Sequence, residues 1–184
     1  MILSLLPLNF NLVSAAENEE IIWYNGFNSF KTNAAVNDIV DKGIIKDNGK
    51  RNKFLSFSVG DRKKQINWDG EIPQKTFSMS MDICLSKKIK QFQPFVLLDS
   101  SGNQYILYNS NFSGAALYDG KPIDSINKYG EWINIRCTIN PITGRYNIYV
   151  DNRSITGNYI LPVDAEKITG VSSVFSGDSD TASI

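Results

Sequence analysis

The stretch Glu131–Ile155, EWINIRCTINPITGRYNIYVDNRSI, decides the fold. Ile133, Ile135, Cys137 and Ile139 alternate with Trp132, Asn134, Arg136 and Thr138, the two-residue period of a half-buried strand. Asn140-Pro-Ile-Thr-Gly144 interrupts the pattern with turn residues: Pro fixes φ, and Gly admits positive φ. Alternation then resumes from Arg145, with Tyr146, Ile148 and Val150 on one side. Pairing Ile139 with Tyr146 predicts Cys137 opposite Ile148 and Ile135 opposite Val150, which makes one face wholly apolar. The other face then pairs Thr138 with Asn147, Arg136 with Tyr149, and Asn134 with Asp151. A slip of one residue would bury every polar group, so the pattern specifies its own register. Asp151-Asn152 suits a two-residue turn that returns Arg153–Ile155 along the sheet.

Trp132, Ile135 and Cys137, followed by Tyr149-Val150-Asp151-Asn152, resemble the W-x-x-V-x-V and Y-V-D-G segments of laminin G-like domains, with Asn152 where that pattern has Gly. These domains belong to the concanavalin A-like lectin/glucanase superfamily. The resemblance is densest in this hairpin and looser from about Ile21 onward. It implies an all-β, two-sheet antiparallel jelly-roll sandwich over residues 21–184, and it gives Trp132 a structural place in the core or at a strand end. Lectins, hydrolases, lyases and spacers all share this scaffold, so ligand and chemistry need their own argument.

A chain of 184 residues suits one domain with a substantial core. Nineteen basic and nineteen acidic residues balance, so the basic excess of a nucleic-acid binder is missing. The sequence contains no histidine, which removes the commonest general base and zinc ligand. Residues 1–15, MILSLLPLNFNLVSA, form an apolar run ending in small residues and read as a signal peptide without its basic start. Interrupted by Pro7, Asn9 and Asn11, the run is too short to span a bilayer well. It is expected to lie outside the fold, with residues 16–20 as an acidic linker. That reading places the protein outside the cell or on its surface.

Further strands are expected at Ile21–Phe27, Phe54–Val59, Thr76–Leu85, Pro94–Asp99, Gln104–Asn109, Ala115–Tyr118 and Ile168–Phe175, with a short, weak segment at Gln65–Trp68. The resemblance implies that the first of these pairs with the last strand. Residues 28–52 read as loop, and Asp119-Gly120 as a tight turn. Ala182–Ile184 resembles the start of a closing strand, which suggests a fragment of a longer exported protein. Cys137 belongs to the apolar face of its strand, whereas Cys84 falls opposite Ile83 and Leu85 on the polar side. Such side chains cannot approach the disulfide Cβ spacing of about 4 Å, so two free thiols are expected.

Glycosidases on this scaffold need two carboxylates about 5–9 Å apart on one sheet. After the linker, Glu71, Glu131 and Glu166 all fall in expected loops or strand ends. Arg136 beside Tyr149 resembles the Arg–Tyr pair of a polysaccharide lyase, but a cross-strand cation–π contact accounts for it more simply. Asp178 and Asp180 are candidate ligands for a structural calcium such as several relatives of this fold carry; otherwise no cofactor is expected. Sugar recognition needs aromatic platforms with polar partners, because pyranoses combine apolar CH faces with hydroxyl rims. Trp68, Tyr105, Tyr108, Tyr118 and Tyr149 supply rings, and Asn109, Asp119 and Asn147 supply polar groups. The leading expectation is a non-catalytic carbohydrate-binding or adhesion module of a secreted protein, part of a larger polysaccharide-acting or cell-surface protein, with a polysaccharide or glycoprotein glycan as partner. A hydrolase or lyase and a structural spacer are the alternatives.

Overall fold

The computed structural model describes residues 3–5, 8–10, 23–25, 44–47, 53–57, 63–68, 72, 74–85, 89–111, 114–120, 122–123 and 130–177. Six short strands come first: β1 (Leu3–Leu5), β2 (Leu8–Phe10), β3 (Trp23–Asn25), β4 (Ile44–Asp47), β5 (Lys53–Phe57) and β6 (Lys64–Trp68). The middle holds β7 (Phe77–Cys84), β8 (Ile89–Asp99), β9 (Gln104–Ile106), β10 (Tyr108–Asn111), β11 (Gly114–Leu117) and β12 (Pro122–Ile123). Last come β13 (Trp132–Asn140), β14 (Arg145–Val150), β15 (Arg153–Ser154), β16 (Tyr159–Ile160), a 3-10 turn at Ala165–Lys167, and β17 (Ile168–Gly177).

These strands build a two-sheet antiparallel sandwich. One sheet runs β15-β14-β13-β7-β1-β5-β4, with β16 beside β14. The other runs β12-β11-β10-β8-β17-β6, with β9 beside β8. The β13–β14 hairpin of the first sheet has the register the alternation demands: Ile139 faces Tyr146, Cys137 faces Ile148, and Ile135 faces Val150. Strand β7 continues the ladder on the other side, placing Phe77, Met79, Met81 and Ile83 opposite Ile139, Cys137, Ile135 and Ile133. All eight are buried. At about 1.5–3 kcal/mol for each large apolar side chain removed from water, this double ladder is a major source of stability.

Turn chemistry closes the hairpin. Asn140 Oδ1 accepts from the Thr143 amide at 3.0 Å, and Gly144 adopts φ +60°. At the far end Asp151 and Asn152 adopt φ 47° and 64°, the two left-handed residues of a type I′ turn. Asn152 thus occupies the usual glycine position because its short amide tolerates that backbone region.

The second sheet contributes Phe92, Phe95, Leu97, Leu107, Tyr108, Leu117, Val171 and Phe175 to the core. Phe92 and Phe175 stack with ring centroids 5.0 Å apart. Strand β8 starts at Ile89, earlier than expected, and passes through Pro94. That proline is tolerated because the β8–β17 register shifts between Ser172 and Val174, the kind of bulge where a missing amide is harmless. Ser173 Oγ donates to the Pro94 carbonyl at 2.6 Å.

The expected leader behaves differently from a loose segment. Strand β1 pairs with both β5 and β7, and β2 pairs with β3. Strand β1 thus lies inside its sheet, between β7 and β5, while β2 and β3 form a separate two-stranded ladder. Strand β3 pairs with β2, and the closing strand that the resemblance sets beside it begins at Ala182, outside the described residues. Strand β4 lies in the stretch expected to be loop and pairs with β5. The proposed cleavage site and linker, the closing segment at 182–184, and Asp178 and Asp180 lie outside the described residues. Among the described residues no helix is long and apolar enough to cross a membrane.

Candidate functional site

The sequence-derived candidates separate into four places. Tyr108 is fully buried in the core, so its ring offers no surface for a ligand, which corrects its assignment. The reason is a break at Leu107, whose amide donates to the Phe95 carbonyl at 3.0 Å. The expected strand Gln104–Asn109 is thereby split into β9 and β10, and both Leu107 and Tyr108 turn inward. Asn109 lies half-buried on the outer side of the second sheet, where its Oδ1 accepts from Gln91 Nε2 at 3.0 Å and Gln93 Nε2 at 3.4 Å. Trp68 ends β6 with its backbone opposite Val171.

Tyr149 lies on the outer side of the first sheet. The Arg136 guanidinium sits over its ring, 4.4 Å from the centroid. Around them Ser78 and Thr138 hydroxyls bond at 2.8 Å, and Asn134 Nδ2 donates to Asp82 at 2.8 Å. This polar face is internally paired across strands, as the register requires. Trp132 stands at the start of β13 and is partly exposed, which fits the strand-end place and not the core.

Tyr105, Tyr118 and Asp119 are brought together at one end of the sandwich. The Tyr105 and Tyr118 rings lie 6.1 Å apart, tilted by 44°. Tyr118 is 50 % exposed at the end of β11, and the turn after it is closed by Gly120, whose amide donates to the Leu117 carbonyl at 2.9 Å with φ +79°. The Tyr105 hydroxyl donates to Asp99 at 3.0 Å. Asp99 also accepts the Asn103 side-chain amide at 2.8 Å and the Asn103 and Ser101 backbone amides. These bonds, the Asn103 side-chain amide foremost, hold the carboxyl below its ordinary range, while Asp99 pushes the Tyr105 hydroxyl up. Asp99 is therefore spent on organising its own loop, and Tyr105 is a braced support for Tyr118.

Facing Tyr118 and Asp119 across a cleft of about 500 Å³ are Arg145, Asn158, Tyr159 and Pro162. Residues 157–162 are strapped along β14. Arg145 Nη1 donates to the Asn158 carbonyl at 2.8 Å, the Asn158 amide donates to Asn147 Oδ1 at 2.6 Å, and the Leu161 amide donates to the Gly144 carbonyl at 2.8 Å. Asn147 thus serves as a brace for this wall. Tyr159 packs edge-on against Tyr146 at 6.1 Å, and Tyr146 donates to the Leu107 carbonyl at 3.2 Å. Burial pushes the Tyr146 hydroxyl well above its usual range, so it stays protonated as a donor.

Sequence reading missed Asn158 and Tyr159, because strand β16 is two residues long and its only signal is Tyr159 itself, and it placed Arg145 only as the first residue of its strand. Among the described residues no group of three or more His, Cys, Asp or Glu side chains is placed to hold a metal. Cys84 and Cys137 are both free thiols, as expected from their opposite faces. No family model matches the chain, and no curated protein matches it.

The cleft brings together an exposed aromatic ring, a carboxylate, a guanidinium and a far wall held by backbone hydrogen bonds.

Proposed function

We propose that this chain is a non-catalytic carbohydrate-binding or adhesion module of an exported or cell-surface protein, with a polysaccharide or glycoprotein glycan as ligand. The observation that carries the reading is the exposed Tyr118 ring, braced by Tyr105 and flanked by Asp119, opposite Arg145 and Tyr159 in one cleft. A pyranose laid on Tyr118 buries its CH face, while its hydroxyl rim meets the carboxylate and guanidinium. The sandwich and the Tyr149–Asn152 turn support the laminin G-like likeness, which we propose as the family. Retention of the purified chain on a panel of immobilised polysaccharides and glycoproteins tests the reading. Tyr118→Ala is expected to lower retention at least tenfold with an unchanged melting temperature. Failure to bind any glycan at millimolar sensitivity removes the lectin reading in favour of a spacer, and turnover of a polysaccharide replaces it with an enzyme.

A further inference from the structure

The far wall of the Tyr118 cleft is also the near wall of a second one. Ile160, Leu161 and Pro162 line both. The second cleft, about 790 Å³, continues past this ridge between the β13–β14 turn and the segment leading into β17. Its lining mixes polar and aliphatic groups: Ile142 is 82 % exposed on the turn and Ile160 is 69 % exposed on the ridge, with Gln74, Thr143 and Glu166 among the polar residues that share the cleft. Isolated exposed aliphatics are ordinary, but here two line one depression among polar groups, a mixture that suits the apolar faces and hydroxyl rims of sugar units.

We infer that the two clefts form one extended binding track for an uncharged, linear glycan, with one end of the chain on Tyr118 and later units crossing Ile160 toward Ile142. The inference rests on the glycan reading of the Tyr118 cleft and adds ligand length and charge to it. Length follows from the shared ridge: a ligand held in the first cleft meets the second without leaving the surface. Charge follows from the lining, which carries three carboxylates (Asp119, Asp164, Glu166) against two cations (Arg145, Lys167). Asp164 and Lys167 are paired at 2.6 Å, so the lining carries no surplus of positive charge with which to hold a polyanion. The aliphatic and proline surfaces suit the CH faces of successive sugar units, which need no partner charge.

Isothermal titration of the intact chain with β-linked glucose, xylose, mannose and N-acetylglucosamine oligosaccharides tests this, each from disaccharide to hexasaccharide, beside oligogalacturonate of matched length. The expected result is a gain of roughly tenfold or more in affinity from disaccharide to hexasaccharide in at least one uncharged series, equivalent to about 1.4 kcal/mol. Oligogalacturonate is expected to bind more weakly. Ile142→Ser is expected to abolish most of the length-dependent gain, whereas Tyr118→Ala weakens short and long ligands alike; both residues are exposed, and thermal melting verifies the fold of each variant. Equal affinity for short and long members, or preference for oligogalacturonate, overturns the track and leaves the glycan reading standing. Absence of binding to every oligosaccharide overturns the track, and the glycan reading falls with it only if the immobilised polysaccharide and glycoprotein panel also fails to retain the chain.

Discussion

Arg136 and Tyr149 face each other across β13 and β14, with the guanidinium carbon 4.4 Å from the ring centroid on the side of the sheet away from the core. The Arg136 Nε is buried without a hydrogen-bond partner, so the ring face is its compensation. A double-mutant cycle with Arg136→Ala and Tyr149→Ala is expected to give a coupling of about 1 kcal/mol in urea unfolding, between the exposed and desolvated limits for such pairs. Strict additivity would show that the stacking contributes nothing.

Two isoleucines near the same hairpin should respond oppositely to truncation. Ile148 is fully buried opposite Cys137, and Ile148→Ala is expected to cost about 2–5 kcal/mol by cavity formation. Ile142, on the turn between these strands and 82 % exposed, should change stability by less than about 0.5 kcal/mol when replaced by Ala. Chemical denaturation of both variants checks the contrast.

The hairpin was legible in the sequence because three independent signals agreed: strict alternation, proline–glycine turn chemistry, and the Asp-Asn pair. Strand β7 was legible for the first reason alone. Elsewhere the signals were weaker. The split at Leu107 depends on a hydrogen bond to Phe95, a partner in another strand, so local alternation could not reveal that Tyr108 turns inward. Of the cleft, Tyr118 and Asp119 were found as an aromatic beside a turn. Arg145, Asn158 and Tyr159 reach the cleft only because residues 157–162 are fastened to β14, a tertiary arrangement with no sequence period to announce it.

Asn152 holds φ 64° as the second residue of its turn. Asn152→Gly removes the steric cost of that conformation and is expected to be neutral or stabilising by up to ~1 kcal/mol, whereas Asn152→Val should destabilise by about 1–2 kcal/mol. Melting curves of the two variants should bracket the wild type.

Stability should fall on the alkaline side. Burial raises the Cys137 thiol above its ordinary value of 9.0, and burial foremost raises the Tyr146 hydroxyl above 10.0. In both cases the unfolded chain loses its proton first, so the stabilising contribution is complete below about pH 9 and is lost as pH rises above it. Urea unfolding at pH 7, 9 and 10.5 should show a declining free energy across the last interval. Cys137→Ala, although destabilised overall, should show a shallower decline. A flat profile would contradict the burial of both groups.

The location of glycan binding is the most direct test of the account. Backbone amide shifts of the isotope-labelled chain, recorded during titration with a glycan that retains the wild type, report where the ligand sits. The account predicts perturbations at Tyr118–Gly120 and across residues 157–162, absent in Tyr118→Ala. Perturbations confined to the Arg136–Tyr149 face or to the Gln91–Asn109 side of the second sheet would contradict it.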